Sequence, residues 1–294
     1  MSTFADAVTR GPIQLDGGLA TRLEARGHDL SDSLWSARLL LSDPDEVRAA
    51  HADFFAAGAQ VATTASYQVS ASGFARAGLE PADATTALRR SITLAREAAA
   101  GESDRWVAAS VGPYGATLAD GSEYRGDDGL TTAQLRAWHR PRLEALADAG
   151  PDVLAVETMP RLAEVEAVLE ETSDLGLPVW VSVTTAGGRT RRGEPFADVV
   201  ALAESAPHVV AVGANCCDPD DIAHLAAARG RLPLVFYPNS GETWDAAARG
   251  WTGTPTLDAE AARSWAGSGA ALVGGCCRVG VDLVAALRAG LDAR

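Results

Sequence analysis

The sequence predicts an α/β protein, a single TIM barrel of eight β/α units that spans residues 1–294. Three observations predict it: eight short apolar segments rich in β-branched residues, helical patterns between them, and polar residues at the ends of the apolar segments. Nearly continuous apolar strands that alternate with helices imply a parallel sheet covered by helices. Eight such units favour a closed barrel over an open doubly wound sheet, and no GxGxxG motif follows the first strand.

Each predicted strand is closed by Gly, Pro or polar residues. The strands are IQLDGG (13–18), QVATTASY (60–67), WVAASVGP (106–113), VLAVETMP (153–160), PVWVSVTT (178–185), VVAVGANCC (209–217), PLVFYPNS (233–240) and ALVGGCCR (271–278). Helical patterns lie between them, among others at 44–59, 84–101, 132–150 and 162–176. A long glycine-rich loop at 112–129 follows the third strand, and a long loop inside a compact domain is more often functional than not.

Composition and charge exclude several classes of partner. At 47% hydrophobic and 22% charged residues, the chain has the composition of an ordinary soluble protein with a sizeable core. A net charge of −14 repels phosphate backbones and anionic membranes, which disfavours nucleic acid and membrane partners. No secretory signal begins the chain, and no apolar stretch approaches the roughly 20 residues that span a bilayer. The sequence therefore predicts a cytoplasmic protein, and it leaves the oligomeric state open.

All four cysteines occur in two adjacent pairs, in GANCC (213–217) and GGCCR (274–278). Four are too few for a disulfide scaffold in a chain of this size. Both pairs end predicted strands, the sixth and the eighth, and the carboxyl ends of barrel strands form the active-site face. Three thiolates make a zinc site, and a catalytic zinc keeps its fourth position open. The alternative is that these cysteines are small buried hydrophobic residues that bind no metal.

Other polar residues also lie at the ends of predicted strands. They are Asp16, Thr64, Ser66, Ser110, Glu157, Thr184, Thr185, Asn215 and Asn239. Glu157 ends the apolar run VLAVE, where a carboxylate is costly to bury unless it has a partner. Asp16 has a simpler alternative, because Asp-Gly is a frequent turn between a strand and a helix. The sequence therefore predicts a polar site at one end of the barrel.

These motifs resemble those of the homocysteine S-methyltransferase family. The resemblance rests on GxNC and GGCC, on DGG near the N-terminus and on the ET dipeptide after the fourth strand. Further stretches resemble the short, single-domain branch of the family; they include DSLWSARLL, TASYQ, SVGPYGA, LADGSEYRGD, HRPR and YPNSGE. The resemblance implies a TIM barrel with one catalytic Zn²⁺ per chain. It also implies methyl transfer from S-methylmethionine or S-adenosylmethionine to the thiolate of homocysteine, giving methionine.

The resemblance also implies roles for individual residues. Cys216, Cys276 and Cys277 match the zinc ligands of the family. Cys217 has no counterpart in the GxNC motif, and strand alternation points it away from the face that Cys216 occupies. Asp16 and Glu157 match the residues that bind the amino group of homocysteine.

The remaining substrate contacts are less specific. Ser36 and the backbone of Gly17 are candidates to hold the homocysteine carboxylate by analogy, although a serine that opens a helix serves equally well as a cap. Asn215 is assigned to the substrate site as a residue that orients the barrel mouth by hydrogen bonding. Tyr67, Tyr114 and Tyr124 are candidates to present aromatic faces to the sulfonium of the donor, or else they simply pack.

The sequence leaves the methyl donor open, and two alternatives remain. The same barrel could use another methyl donor such as betaine. A protein of another class, for zinc storage or redox sensing, would use the thiols without moving a methyl group, but it would leave Asp16 and Glu157 unexplained. His139 and Arg142 of the HRPR motif lie in a predicted helix, where a structural role is expected.

Overall fold

The computed structural model describes residues 3–32, 34–245 and 250–293. In chain order its strands are β1 (Ile13–Gln14), β2 (Val61–Thr63), β3 (Trp106–Val111), β4 (Val153–Met159), β5 (Val179–Val183), β6 (Thr185–Ala186), β7 (Arg189–Thr190), β8 (Val209–Asn215), β9 (Leu234–Tyr237), β10 (Thr243–Asp245), β11 (Gly250–Thr252) and β12 (Ala270–Val273). Two antiparallel hairpins, β6–β7 and β10–β11, stand outside the main sheet. The sequence patterns did not predict these hairpins.

The other eight strands form one parallel sheet in the order β1-β12-β9-β8-β5-β4-β3-β2. Its two edge strands, β1 and β2, lie beside each other, because the Gln60 N–H donates to the Gln14 carbonyl at 2.8 Å. The Asp16 side chain continues this seam by accepting a hydrogen bond from the Thr63 N–H at 2.7 Å. The sheet is thus a nearly closed barrel, and the predicted TIM barrel fold is confirmed.

Helices surround the barrel. They are α1 (Phe4–Val8), α2 (Leu19–Ala25), α3 (Leu39–Ser42), α4 (Pro44–Ala56), α5 (Ala71–Arg76), α6 (Pro81–Ala99), α7 (Thr132–Asp148), α8 (Leu162–Thr172), α9 (Phe196–Glu204), α10 (Asp221–Ala227), α11 (Ala259–Gly267) and α12 (Val281–Asp292). The helical patterns at 44–59, 84–101, 132–150 and 162–176 correspond to α4, α6, α7 and α8. In the part of the chain that the structure describes, no helix is both long and apolar enough to cross a membrane.

Alternation along the strands divides the apolar residues into two clusters. One cluster lies between the sheet and the helices, and the other fills the interior of the barrel. Phe4 of α1 packs against Trp106 and Trp180, with ring centroids 5.9 and 6.0 Å apart, near the amino-terminal ends of β3 and β5. The helix α1 therefore covers that end of the barrel, and the polar strand ends gather at the opposite one.

Candidate metal and substrate site

Three cysteines meet at the carboxyl end of the barrel. Cys216 follows β8, while Cys276 and Cys277 follow β12, and only β9 separates these two strands in the sheet. The three Sγ atoms lie within 4.8 Å of one another, and those of Cys216 and Cys277 are 3.6 Å apart. All three are free thiols. This spacing suits a single metal ion held by three thiolates.

The backbone after β8 turns sharply to present Cys216. Its φ of +50° lies in the left-handed region, which non-glycine residues seldom adopt. The Thr184 hydroxyl donates to the Cys216 carbonyl at 3.1 Å, and the Cys216 N–H donates to the Tyr237 carbonyl at 3.4 Å. Neighbouring strands therefore hold the unusual conformation in place.

The loop after β12 is anchored in a similar way. The Cys276 N–H donates to the Pro238 carbonyl at 2.7 Å, and the Cys277 N–H donates to Asn239 Oδ1 at 3.1 Å. Gly18 lets the first βα loop approach closely, because a Cβ there would lie 2.5 Å from the Cys276 carbonyl oxygen. Contacts with two neighbouring loops thus fix the backbone of both cysteines.

Cys217 lies outside this group. It is 1% exposed and packs in the apolar cluster between the sheet and the helices. Burial raises the pKa of its thiol to about 12. Within the group, by contrast, hydrogen bonds from the Cys216 and Cys276 thiols hold the pKa of Cys277 well below its usual value.

Glu157 points into the barrel mouth and is 7% exposed. Its Oε1 accepts a hydrogen bond from the Ser110 hydroxyl, and its Oε2 accepts one from the Tyr237 hydroxyl at 3.0 Å. Burial raises the pKa of Glu157 to about 7, although these two hydrogen bonds oppose the rise. A cation bound here would favour the carboxylate form.

Asp16 is the second buried carboxylate, 3% exposed. Thr63 donates to it twice, from the backbone N–H at 2.7 Å and from the hydroxyl at 2.8 Å. Burial raises the pKa of Asp16 to about 8, and the nearby charge of Glu157 contributes to the rise. The two carboxylates therefore lie near enough for the charge of one to affect the other.

Comparisons of the chain with known proteins all point to the same family. A model of the family described as homocysteine S-methyltransferase matches residues 13–291. The homocysteine S-methyltransferase of Escherichia coli is 46% identical over 292 residues, which cover 94% of each chain. Homocysteine S-methyltransferase 4 of Zea mays is 43% identical, covering 94% of this chain and 88% of the maize protein.

A solved structure agrees with these sequence matches. The homocysteine methyltransferase MmuM from Escherichia coli, in its metallated form, superposes with a TM-score of 0.84 at 43% identity, covering 95% of this chain and 96% of that one. The chain belongs to the homocysteine S-methyltransferase family. As a homocysteine S-methyltransferase it is an enzyme, and it transfers a methyl group to homocysteine.

Two residues predicted to bind the homocysteine carboxylate in this methyltransferase, Gly17 and Ser36, are closely packed in the structure. Gly17 has no room for a side chain, since a Cβ would overlap the Val279 carbonyl oxygen. Ser36 is buried in the 3-10 helix Trp35–Arg38, which begins after Leu34, so Ser36 is not the N-cap. The proposal that these two residues hold the homocysteine carboxylate stays a prediction.

Asn215 is fully buried and hydrogen-bonds within the barrel. Its Oδ1 accepts from the Thr158 N–H and from the Ser182 hydroxyl, each at 2.7 Å, and its Nδ2 donates to the Thr158 hydroxyl at 2.7 Å. Thr158 follows Glu157 directly and has a φ of +59°, a strained value for a β-branched residue. This arrangement favours a role in which Asn215 positions Glu157 rather than touching substrate itself.

The tyrosines differ in their distance from the thiols. The Tyr124 hydroxyl lies 3.0 Å from Cys216 Sγ, so this side chain belongs to the site. Tyr114 instead packs edge-on against Trp138, with ring centroids 5.2 Å apart. Tyr237 was missed in the sequence analysis; it is the last residue of β9 and the tyrosine that hydrogen-bonds Glu157.

The HRPR motif of α7 contacts the loops that follow β2 and β3. Arg142 is buried and donates to the Gly112 carbonyl at 2.8 Å and to the Tyr67 carbonyl at 3.0 Å, which ties together the loops after β2 and β3. His139 Nε2 lies 3.0 Å from Glu164 Oε1, also in the interior. Both contacts agree with the expected structural role.

We expect Asn215→Ala to lower the free energy of unfolding by about 2–4 kcal/mol, because the buried Thr158 N–H would lose its acceptor at a strained residue. Urea unfolding measures this change. Ser182→Ala is the control, since it leaves the Thr158 contacts intact. It removes the Ser182 contacts with Asn215 and with the Tyr237 hydroxyl, at a cost of about 1–2 kcal/mol. Equal losses in the two variants would contradict the positioning role.

Proposed function

We propose that the enzyme takes its methyl group from a sulfonium donor, S-methylmethionine or S-adenosylmethionine, and yields methionine. We further propose that Cys216, Cys276 and Cys277 hold one catalytic Zn²⁺. The observation that supports this most strongly is the group of three free thiols within 4.8 Å. Three soft sulfur ligands suit zinc, and Cys276 and Cys277 are only partly buried, which leaves the group open toward the barrel mouth.

Bound zinc would act as a Lewis acid that lowers the pKa of the homocysteine thiol and so supplies a thiolate nucleophile at neutral pH. The protein's own residues supply recognition. Glu157 and Asp16 offer carboxylates to the ammonium group of homocysteine, and the hydroxyls of Ser110 and Tyr237 fix the Glu157 carboxylate. A charged ammonium between them would compensate the burial of both anions.

The chemical step needs little else from the protein. The thiolate sulfur attacks the donor methyl carbon in line, the bond from that carbon to the donor sulfur breaks, and the electron pair stays on the donor sulfur. The sulfonium thereby becomes a neutral thioether, so no general acid is required. Catalysis then rests mainly on positioning and on activation of the thiol.

The alternatives make different demands on these residues. Betaine as donor would keep the thiol group and the two carboxylates, and would change only the donor pocket. Zinc storage or redox sensing would use the thiols alone, and the desolvated carboxylates of Asp16 and Glu157 would then lack a purpose. We also propose that the chain acts as one domain in the cytoplasm, where a reducing environment keeps the thiols free.

One experiment separates these possibilities. Zinc-loaded protein is incubated with homocysteine and each of S-methylmethionine, S-adenosylmethionine and betaine, and methionine formation is measured. The proposal requires turnover with at least one sulfonium donor. Turnover with betaine alone would support the first alternative, and zinc binding without turnover would support the second.

We expect the cysteines to differ in their effect on metal content. Alanine at Cys216, Cys276 or Cys277 should abolish stoichiometric zinc binding and activity together, because two thiolates do not complete the site. Cys217→Ala is the matched control and should keep both, since its thiol lies in the apolar cluster. Zinc per chain is measured by elemental analysis, and a fully loaded Cys216→Ala protein would refute the assignment.

We expect Glu157→Gln to impair substrate recognition without loss of zinc. A charge-assisted hydrogen bond contributes about 1.5–3 kcal/mol, so kcat/KM for homocysteine should fall on the order of 10- to 100-fold. A thiol analogue that lacks the amino group has no ammonium to lose and should be affected much less. Zinc content and kcat/KM for both thiols decide the question; equal losses for the two would remove Glu157 from amino-group recognition.

A further inference from the structure

The long loop after β3 forms a compact wall beside the thiols. It contains two 3-10 helices, Tyr114–Leu118 and Ser122–Tyr124. Gly115 allows them to pack together, because a Cβ there would lie 2.7 Å from the Glu123 backbone nitrogen. Gln68 anchors the first of them by donating to the Ala116 carbonyl at 2.7 Å. Packing and hydrogen bonding therefore hold this loop in a defined conformation.

Within this wall, one carboxylate oxygen of Glu123 has no partner. Its Oε2 is shielded from solvent and has no hydrogen-bond partner among the described residues. The neighbouring Arg125 is engaged elsewhere, with Asp127 at 3.3 Å and with Asp120 at 3.5 Å, and no described residue forms an ion pair with Glu123. A carboxylate oxygen buried without a partner is costly and calls for an explanation.

Glu123 also stands close to the reaction centre. The next residue, Tyr124, places its hydroxyl 3.0 Å from Cys216 Sγ. Tyr124 is 37% exposed, and it is the one exposed large hydrophobic side chain in the described ranges. Burial raises the pKa of Glu123 to about 7, and the charge of Cys216 adds to the rise. Burial is the main cause that keeps the pKa of Tyr67 well above its usual value, and the charge of Glu123 is the second.

We propose that the Glu123 carboxylate binds the positively charged sulfonium centre of the methyl donor, with the rings of Tyr67 and Tyr124 beside it. This inference rests on the proposed function, in which the donor sulfur must lie next to the thiolate that accepts its methyl group. A sulfonium has no N–H or O–H, so its contact with a carboxylate is Coulombic. An anionic oxygen without a hydrogen-bond donor, next to aromatic faces, matches such a ligand.

Transfer of the methyl group changes the charge that Glu123 faces. When the methyl group leaves, the donor sulfur keeps the electron pair of the broken bond and loses its positive charge. Glu123 therefore attracts the donor more strongly than it attracts the thioether product. In the transition state the donor sulfur has already lost part of its positive charge, so Glu123 stabilises the bound donor more than it stabilises the transition state. Loss of Glu123 should therefore raise the KM for the donor more than it lowers kcat.

The test compares Glu123→Gln with wild type and with Asp127→Asn, a charge-removing control on the same loop whose side chain is 50% exposed. In zinc-loaded Glu123→Gln, the KM for S-methylmethionine should rise on the order of 10- to 100-fold. The KM for homocysteine and the zinc content should stay unchanged, and Asp127→Asn should match wild type. Glu123→Asp, which keeps the charge on a shorter stem, should recover part of the loss.

Two further measurements keep the result interpretable. The melting temperature of Glu123→Gln should equal or exceed that of wild type, because the substitution removes a carboxyl group whose Oε2 is shielded from solvent without a partner; a large decrease would indicate a structural residue instead. Inhibition by methionine, which has the same skeleton with a neutral sulfur, should not change. If inhibition by methionine weakened in parallel with donor binding, Glu123 would bind the ammonium group that both molecules carry, and the sulfonium assignment would be wrong.

The outcomes separate this inference from the proposed function. An unchanged donor KM in Glu123→Gln, in an enzyme whose wild type uses S-methylmethionine, would overturn the inference and leave the function intact. Absence of turnover in wild type with every sulfonium donor would overturn the function. Calorimetric binding of S-methylmethionine to both proteins without homocysteine would then still decide the role of Glu123, and equal binding to the two would reject it.

Discussion

Closure of a parallel barrel places every strand's carboxyl end on one rim, and the site depends on this constraint. Cys216 and Cys277 are 61 residues apart in the chain, yet their sulfur atoms lie 3.6 Å apart because only β9 separates their strands. Tyr237 ends β9 and reaches across the barrel to Glu157. Asp16 completes the closure by hydrogen-bonding Thr63 across the seam between the edge strands. The same geometry thus assembles the thiols and the carboxylates.

This arrangement costs stability, which a ligand can restore. Burial raises the pKa of Asp16 from 3.8 to about 8 and that of Glu157 from 4.5 to about 7. In the folded state both groups hold protons that the unfolded chain releases at lower pH. Their contribution to stability therefore declines as pH rises above their pKa values in the unfolded chain. The decline is complete once pH exceeds their pKa values in the folded protein. A bound cation favours their charged forms, so substrate binding should stabilise the fold.

The strand pattern and the paired cysteines predicted the barrel and the rim, because periodicity and strand ends depend on local sequence. Partners across the barrel depend on register and closure, which one sequence does not reveal. Asn215 illustrates this limit: its position at a strand end was evident, but its hydrogen bonds to the strained Thr158 required the folded sheet. Glu123 was missed for a related reason, since a glutamate in a polar loop looks solvated until the loop folds against the thiols.

The three carboxylates at the rim would meet two kinds of positive charge. An ammonium group persists through the reaction, so Glu157 and Asp16 can hold it equally in substrate and product and serve to position the thiol. A sulfonium loses its charge as the methyl group moves, so an anion beside it binds the donor and releases the thioether. A net charge of −14 on the whole protein favours the approach of a cationic donor over long range. A carboxylate in the position of Glu123 can therefore bind the charged sulfonium donor in preference to the neutral thioether formed from it, although the two molecules differ only by one methyl group.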